Sequence, residues 1–166
     1  LSLMEFIAFP QKDNAVFKKA LNLNIPIITD ASGSLGLYYE GKCHQTYPNE
    51  TLVENKKIDW CSNLAKSKSE DDKPWISYSL KNKRIEVEGF SVRSGCCWYS
   101  CCCIDDNHFV NDGYACCCDL YSFSLRGSND NKTWTTLHKV EQASDYDYCE
   151  SRHYDFRKTQ PYSFIR

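Results

Sequence analysis

Apolar and polar residues alternate along several short segments from residue 75 onward. This is the pattern of β-strands that are buried on one face. The segment Trp75–Leu80 places Ile76, Tyr78 and Leu80 on one side, and Arg84–Arg93 alternates in a similar way. Long polar loops separate these segments, and no helices alternate with them. The pattern therefore favours an all-β fold, an antiparallel β-sandwich.

A β-hairpin is predicted where two alternating segments flank a short polar turn. The segments are Asp119–Gly127 and Thr133–Val140, and the turn is Ser128–Lys132. Asp and Asn tolerate the left-handed backbone that tight turns require, so this turn is well suited to join two strands. We expect the ring of Trp134, just past the turn, to fold into the core of the sandwich.

The first 24 residues show no clear period and are predicted to be a short N-terminal arm or linker. Asp13 and Asn14 could cap a short helix over Ala15–Leu21, so part of the arm is expected to be helical. The folded domain is then expected to cover residues 25–166.

Six segments of this domain follow one another in an order that is typical of one family of binding domains. The most specific runs from Tyr121 to Trp134, where a strand is followed by Ser-Asn-Asp-Asn and then tryptophan. The others are Ile28–Ser32, Trp60–Asn63, Lys73–Leu80, Arg84–Arg93 and Phe164–Arg166. Together they resemble the discoidin family, also called coagulation factor 5/8 type C domains, in its protist-type copies. The resemblance implies a galactose-binding-like jelly roll that binds through loops at one end.

Cysteine is the most unusual feature of the composition. There are 11 cysteines, and eight of them lie between Cys96 and Cys118. The odd number excludes complete internal pairing. Extracellular animal members of the discoidin family usually join their termini by a disulfide, but no cysteine precedes Cys43 and none follows Cys149.

Three states are open for the clustered cysteines. The favoured interpretation is reduced thiols that pack as small hydrophobic side chains. The second is disulfides across the loop, such as Cys102 with Cys117. The third is a zinc site, because thiolates are ligands that zinc prefers. Its candidate ligands are Cys97, Cys101, Cys116 and Cys118.

The same region carries candidate residues for ligand or partner binding. Aromatic side chains in polar loops can stack on a sugar or anchor a protein interface. Two further candidates are serines of the loop Asp30–Leu37. The full set of candidates is Ser32, Ser34, Trp98, Tyr99, His108, Phe109 and Tyr114.

Catalytic and calcium chemistry are less well supported. A nucleophile, a base and an orienting acid are present as residue types in Cys103, His108 and Asp105 or Asp106. No nucleophile motif surrounds them, so a non-enzymatic protein is predicted. Asp105–Asn107 and Asn111–Gly113 offer oxygen ligands without the spacing of an EF-hand. No cofactor is expected, with structural calcium or zinc as the alternative.

Charge narrows the classes of partner. The net charge is −2, from 20 basic and 22 acidic residues, which gives no support to nucleic-acid binding. No apolar run reaches the length of about 18 residues that a membrane span needs, and membrane insertion by loop tips is not expected. No signal peptide is visible at the start of the sequence.

Two functions follow as alternatives. The first, which is the predicted function, is an intracellular protein-interaction or assembly domain, cytoplasmic or cytoskeletal, with a protein partner or a larger assembly. The missing terminal disulfide, the odd number of clustered cysteines and the absence of a visible signal peptide favour it. The second is an extracellular lectin-like or adhesion module that binds glycan or phospholipid. The sequons at Asn49 and Asn131 favour the second, and the redox state of the cysteines discriminates between the two.

Overall fold

The computed structural model describes residues 2–9, 23–52, 60–63, 69, 72–94, 102–109, 122–141, 143 and 150–166. These residues form thirteen β-strands and one short 3₁₀ helix, Pro48–Leu52. The strands are β1 Ser2–Phe9, β2 Ile27–Ala31, β3 Ser34–Tyr39, β4 Lys42–Gln45, β5 Trp60–Ser62, β6 Ile76–Leu80, β7 Gly89–Ser94, β8 Cys102–Asp105, β9 His108–Phe109, β10 Phe123–Ser128, β11 Thr135–Val140, β12 Ser151–Asp155 and β13 Phe164–Ile165. The predicted all-β class is confirmed.

The strands form two antiparallel sheets. The smaller sheet has five strands in the order β11-β10-β13-β6-β2. The larger sheet has eight strands: seven follow the order β12-β7-β1-β5-β3-β8-β9, and β4 pairs with β3. Because neighbouring strands are often far apart in sequence, segments from the whole chain meet in both sheets.

The core is built from the inner faces of both sheets. Alternation along β6 buries Tyr78 in one cluster with Leu125 and Ile165 of the same sheet. The larger sheet contributes Trp60 and Phe90 to this cluster. Burial of each such side chain contributes about 1.5–3 kcal/mol, so this cluster is a main source of stability.

A hydrogen-bond chain links the 3₁₀ helix to the core. The Thr51 hydroxyl donates to the carbonyl of Pro48 at 2.7 Å, so its oxygen accepts the bond of 2.7 Å from the Tyr78 hydroxyl. Both residues are buried, and burial raises the pKa of Tyr78 well above its usual value. The phenol therefore stays neutral and supplies a hydrogen bond within the core.

The predicted hairpin is confirmed: β10 and β11 pair directly, from Phe123 opposite Val140 to Gly127 opposite Thr135. The Asp130 carboxylate closes the turn by accepting the N–H groups of Thr133 at 2.7 Å and Lys132 at 2.8 Å. These bonds hold the pKa of Asp130 well below its usual value.

Trp134 does not enter the core as predicted. It is half-buried, and the guanidinium carbon of Arg166 lies 4.4 Å from the centroid of its ring. A cation–π contact with Arg166 therefore holds the indole outside the apolar cluster.

The N-terminal segment differs from the prediction of an arm. β1 pairs with β7, where Phe6 lies opposite Val92, and with β5, where Leu3 lies opposite Trp60. Ser2–Phe9 is therefore part of the larger sheet. A nearly continuous apolar run lacks the alternation that identifies a strand, which is why the pattern did not reveal it. The helix expected over Ala15–Leu21 lies outside the described residues.

Candidate functional site

Two hairpins meet at one edge of the larger sheet, and we call this region the hairpin edge. It consists of β3, β4, β8 and β9, with the turns between them. β3 pairs with β4 and with β8, so that Tyr38 lies opposite Cys43 and Gly36 lies opposite Cys103. Between β3 and β4 the two turn residues, Glu40 and Gly41, both have positive φ, of 49° and 86°. Such a turn suits the twist of a two-residue hairpin.

One disulfide joins the two strands that flank β3. Cys43 of β4 is bonded to Cys103 of β8, with the Cα atoms 6.0 Å apart. The bridge passes over Gly36, where an added Cβ would overlap Cys43 Sγ and lie 3.1 Å from Cys103 Sγ. The absence of a side chain at this glycine is what allows the bridge to cross β3.

A second disulfide ties the same strand to the centre of the larger sheet. Cys102 of β8 is bonded to Cys61 of β5, with the Cα atoms 5.8 Å apart. Successive residues of a strand point to opposite faces, so the adjacent Cys102 and Cys103 reach different partners. The interpretation as reduced thiols is wrong for these two cysteines, and the proposed pairing of Cys102 with Cys117 is wrong as well.

Acidic side chains fix the turn between β8 and β9. The Asp105 carboxylate accepts the backbone N–H groups of Asn107 at 2.9 Å and His108 at 3.0 Å, and it lies 2.8 Å from His108 Nδ1. The bond from Asn107, and next the bond to the His108 side chain, lower the pKa of Asp105. Asp106 accepts the backbone N–H of Cys43 at 2.7 Å and thereby joins the two hairpins.

These contacts limit the chemistry available to the residues with catalytic side chains. Of the two aspartates considered, Asp105 is the one that lies against His108, but the sulfur of Cys103 is bonded to Cys43. A nucleophilic cysteine acts as a thiolate, so Cys103 is not a nucleophile in this state.

The two candidate serines are used to hold the loop between β2 and β3. Ser32 Oγ donates to Asn63 Oδ1 at 2.6 Å and accepts the backbone N–H of Trp75 at 3.0 Å. Ser34 Oγ accepts the indole N–H of Trp60 at 2.7 Å. Both hydroxyls position backbone and core side chains, which gives them a structural role.

The remaining candidate residues are only partly described. Phe109 lies in β9, and His108 is exposed at the end of the same hairpin. Outside the described residues lie Trp98, Tyr99 and Tyr114, the candidate zinc ligands Cys97, Cys101, Cys116 and Cys118, and the segment Asn111–Gly113. Within the described ranges, no group of three or more His, Cys, Asp or Glu side chains is arranged to hold a metal ion.

Two exposed apolar side chains are not among the binding residues predicted from the sequence. Ile104 of β8 is 66% exposed, and Tyr47, just after β4, is 56% exposed. The sequence alone does not show that Ile104 is exposed. Its exposure becomes clear only when the pairing of β8 is known. The two side chains add exposed apolar area at and beside the hairpin edge.

No family model, curated protein or solved structure matches the chain. The described part of the chain also contains no helix with the length and hydrophobicity of a membrane span.

Proposed function

We propose that the protein is a non-enzymatic recognition module that binds its partner through the hairpin edge. The observation that carries this proposal is that Ile104 and His108 are exposed on strands held by two disulfides. Tyr47, two residues after β4, is exposed next to this edge. A rigid edge loses little conformational entropy on binding, and exposed apolar and aromatic side chains are the usual anchors of an interface. The module is a discoidin-like jelly roll under this proposal, as the ordered sequence segments suggest.

The setting that we propose is extracellular, as an adhesion or lectin-like module. Disulfides persist in oxidising compartments and are rare in the cytosol. Two of them support the hairpin edge, which favours this alternative over the intracellular assembly domain. The exposed Asn49, in the sequon Asn49-Glu50-Thr51, is consistent with the same setting.

A second candidate, the intracellular assembly domain, is favoured by the other cysteines. Of the 11 cysteines, four form the two disulfides, which leaves seven. Because seven is odd, at least one of them cannot pair within the chain. A free thiol is more common in a reducing compartment.

The experiment that tests the proposal measures binding by the disulfide-intact protein. The probes are a glycan array, phosphatidylserine vesicles and intact eukaryotic cells. Tyr47→Ala and Ile104→Ala should each weaken binding to the positive probe about tenfold, the loss expected for an interface anchor. The matched control is Leu23→Ala, because Leu23 is 60% exposed and precedes β2 in the smaller sheet.

Two results would contradict the proposal. One is equal loss of binding in Leu23→Ala and in the two edge variants. The other is absence of binding to all three probes, which would favour the intracellular candidate if the freshly isolated protein also had free thiols at Cys43 and Cys61.

A further inference from the structure

The 3₁₀ helix Pro48–Leu52 carries an asparagine whose side chain the fold does not use. Asn49 is exposed, and its side chain forms no hydrogen bond or ion pair with any described residue. The Asn63 and Asn129 side chains, in contrast, accept hydrogen bonds of 2.6 Å and 3.0 Å from other parts of the chain. The amide of Asn49 is therefore available for chemistry at the surface.

The sequence around this asparagine has the form of an acceptor for N-linked glycosylation. It reads Asn49-Glu50-Thr51, with a residue other than proline between the asparagine and the threonine. The motif needs the asparagine amide as the acceptor of the sugar and the hydroxyl of the third residue for recognition. Because the Asn49 side chain is exposed, the folded protein has room for the bulky product at this position.

The third residue of the motif has a structural use of its own. Thr51 is fully buried. Its hydroxyl donates to the Pro48 carbonyl and accepts the hydrogen bond of 2.7 Å from the Tyr78 hydroxyl. An enzyme does not reach this hydroxyl in the folded protein, so a glycan at Asn49 has to be attached before Thr51 enters the core.

The second sequon differs, because the geometry of its turn accounts for its asparagine. Asn131 lies in the turn between β10 and β11 with a φ of 57°, a left-handed conformation that asparagine adopts more readily than most residues. Asn49 is not among the described residues with positive φ, so no such requirement selects asparagine there. Of the two positions, Asn49 is the one whose residue type is explained by the acceptor role and not by the fold.

We propose that Asn49 carries an N-linked glycan that is attached to the unfolded chain. The donor is an oligosaccharide linked to a lipid pyrophosphate. Nδ2 of Asn49 forms a bond with the anomeric carbon of the oligosaccharide, the bond between this carbon and the pyrophosphate oxygen breaks, and the amide loses one proton. Folding then buries Thr51 and leaves the glycan at the surface. The inference rests on the proposed function only through its extracellular setting.

Site mapping tests the attachment. The chain is directed into the secretory pathway of a eukaryotic cell line, and the total protein from cells and medium is treated with peptide N-glycosidase in water labelled with heavy oxygen. This treatment converts a glycosylated asparagine to aspartate that contains the heavy oxygen. We expect the label at position 49 in most molecules, and Asn49→Gln should lose it.

The matched control for site mapping removes the other sequon. Asn131→Asp keeps a residue type that tolerates positive φ, so the turn should be retained. This variant should keep the label at position 49.

Transfer in vitro tests the order of events. Protein without glycans, from a bacterial host, is offered to oligosaccharyltransferase with the lipid-linked donor. It is used either folded with its disulfides intact or reduced, alkylated and unfolded. We expect transfer to Asn49 in the unfolded protein and its loss in the folded protein. Thr51→Ser keeps the motif and the hydroxyl, and it should behave like the wild type in the unfolded state.

Two outcomes would overturn the inference. One is absence of the label at position 49 in the total protein, and the other is equally efficient transfer to Asn49 in the folded and unfolded states. Neither measurement uses the binding probes of the hairpin edge, and Tyr47→Ala, a variant that tests this edge, should keep the label. Failure of this inference is therefore distinguishable from failure of the proposed function.

Discussion

The five-stranded sheet and the hairpin edge hold their strands together in different ways. The sheet buries one face, where Leu125, Tyr78 and Ile165 belong to a continuous apolar core. The hairpin edge is anchored by two covalent bridges, Cys43–Cys103 and Cys61–Cys102. The first region depends on packing and the second on oxidation, so one perturbation should be able to loosen one region and spare the other.

Loss of the bridge between β4 and β8 should have the largest effect. The double substitution Cys43→Ser/Cys103→Ser opens a loop with a sequence separation of 60 residues. Because the Cys61–Cys102 bridge remains and shortens the loop, loop-closure entropy predicts a loss of about 3–4 kcal/mol in the free energy of unfolding. Urea denaturation measures this loss. Relative to wild type, amide hydrogen exchange should increase more in β3, β4 and β8 than in β6 and β10.

Exchange that increases equally in all these strands would contradict the separation of the two regions. Mild reduction of the wild-type protein provides a control without any substitution. Because reduction opens both bridges, it should increase exchange in β5 as well as in β3, β4 and β8, while β6 and β10 change less.

The substitution Leu125→Ala should weaken the core region instead. Removal of a buried leucine side chain typically costs about 2–5 kcal/mol, because apolar burial is lost and a cavity remains. The loss should be similar in the wild-type and Cys43→Ser/Cys103→Ser backgrounds. Strong non-additivity in urea denaturation would show that the two regions are coupled more closely than their contacts suggest.

A methyl group at position 36 should cost more where the bridge is present, although it also lies 3.0 Å from the backbone carbonyl oxygen of His44. In Gly36→Ala the new Cβ overlaps Cys43 Sγ, and an overpacked site costs about 1–3 kcal/mol. In the Cys43→Ser/Cys103→Ser background the smaller oxygen atoms relieve most of this overlap. Equal destabilisation in both backgrounds would mean that the glycine is required for another reason.

The smallest effect concerns the turn between β10 and β11, and it depends on pH. The pKa of Asp130 is lowered in the folded state, so its ionised form stabilises the fold above the unfolded pKa of about 4. This contribution is lost as the pH falls below about 4 toward the folded pKa. The stability difference between wild type and Asp130→Asn should therefore be largest near neutral pH and shrink in acid.

Thermal unfolding from pH 7 down to pH 2 measures this difference. Glu40→Gln, at an exposed carboxylate in the turn between β3 and β4, serves as a control in another part of the chain. A difference between wild type and Asp130→Asn that grows in acid would contradict the assigned role of the Asp130 carboxylate.

Local pattern was enough to predict much of the five-stranded sheet. The alternation in Trp75–Leu80 and the polar turn Ser128–Lys132 determine strand and hairpin formation over short distances. The orientation of Trp134 was not predictable in this way, because it depends on Arg166, which follows β13 at the far end of the sequence.

The hairpin edge was less predictable, because its determinants are far apart in sequence. Cys61 and Cys102 are separated by 41 residues, and no spacing rule assigns their pairing. The requirement for Gly36 likewise becomes visible only when Cys43 and Cys103 are placed on either side of β3.

The most direct test of the account is to map the disulfides of the protein after its free thiols are blocked at acidic pH. Stepwise partial reduction with differential alkylation is needed, because Cys102 and Cys103 are adjacent and fall in one peptide. We expect Cys43 to be linked to Cys103 and Cys61 to Cys102. Free thiols at these four positions, or exchange of the two partners, would contradict the covalent anchoring of the hairpin edge.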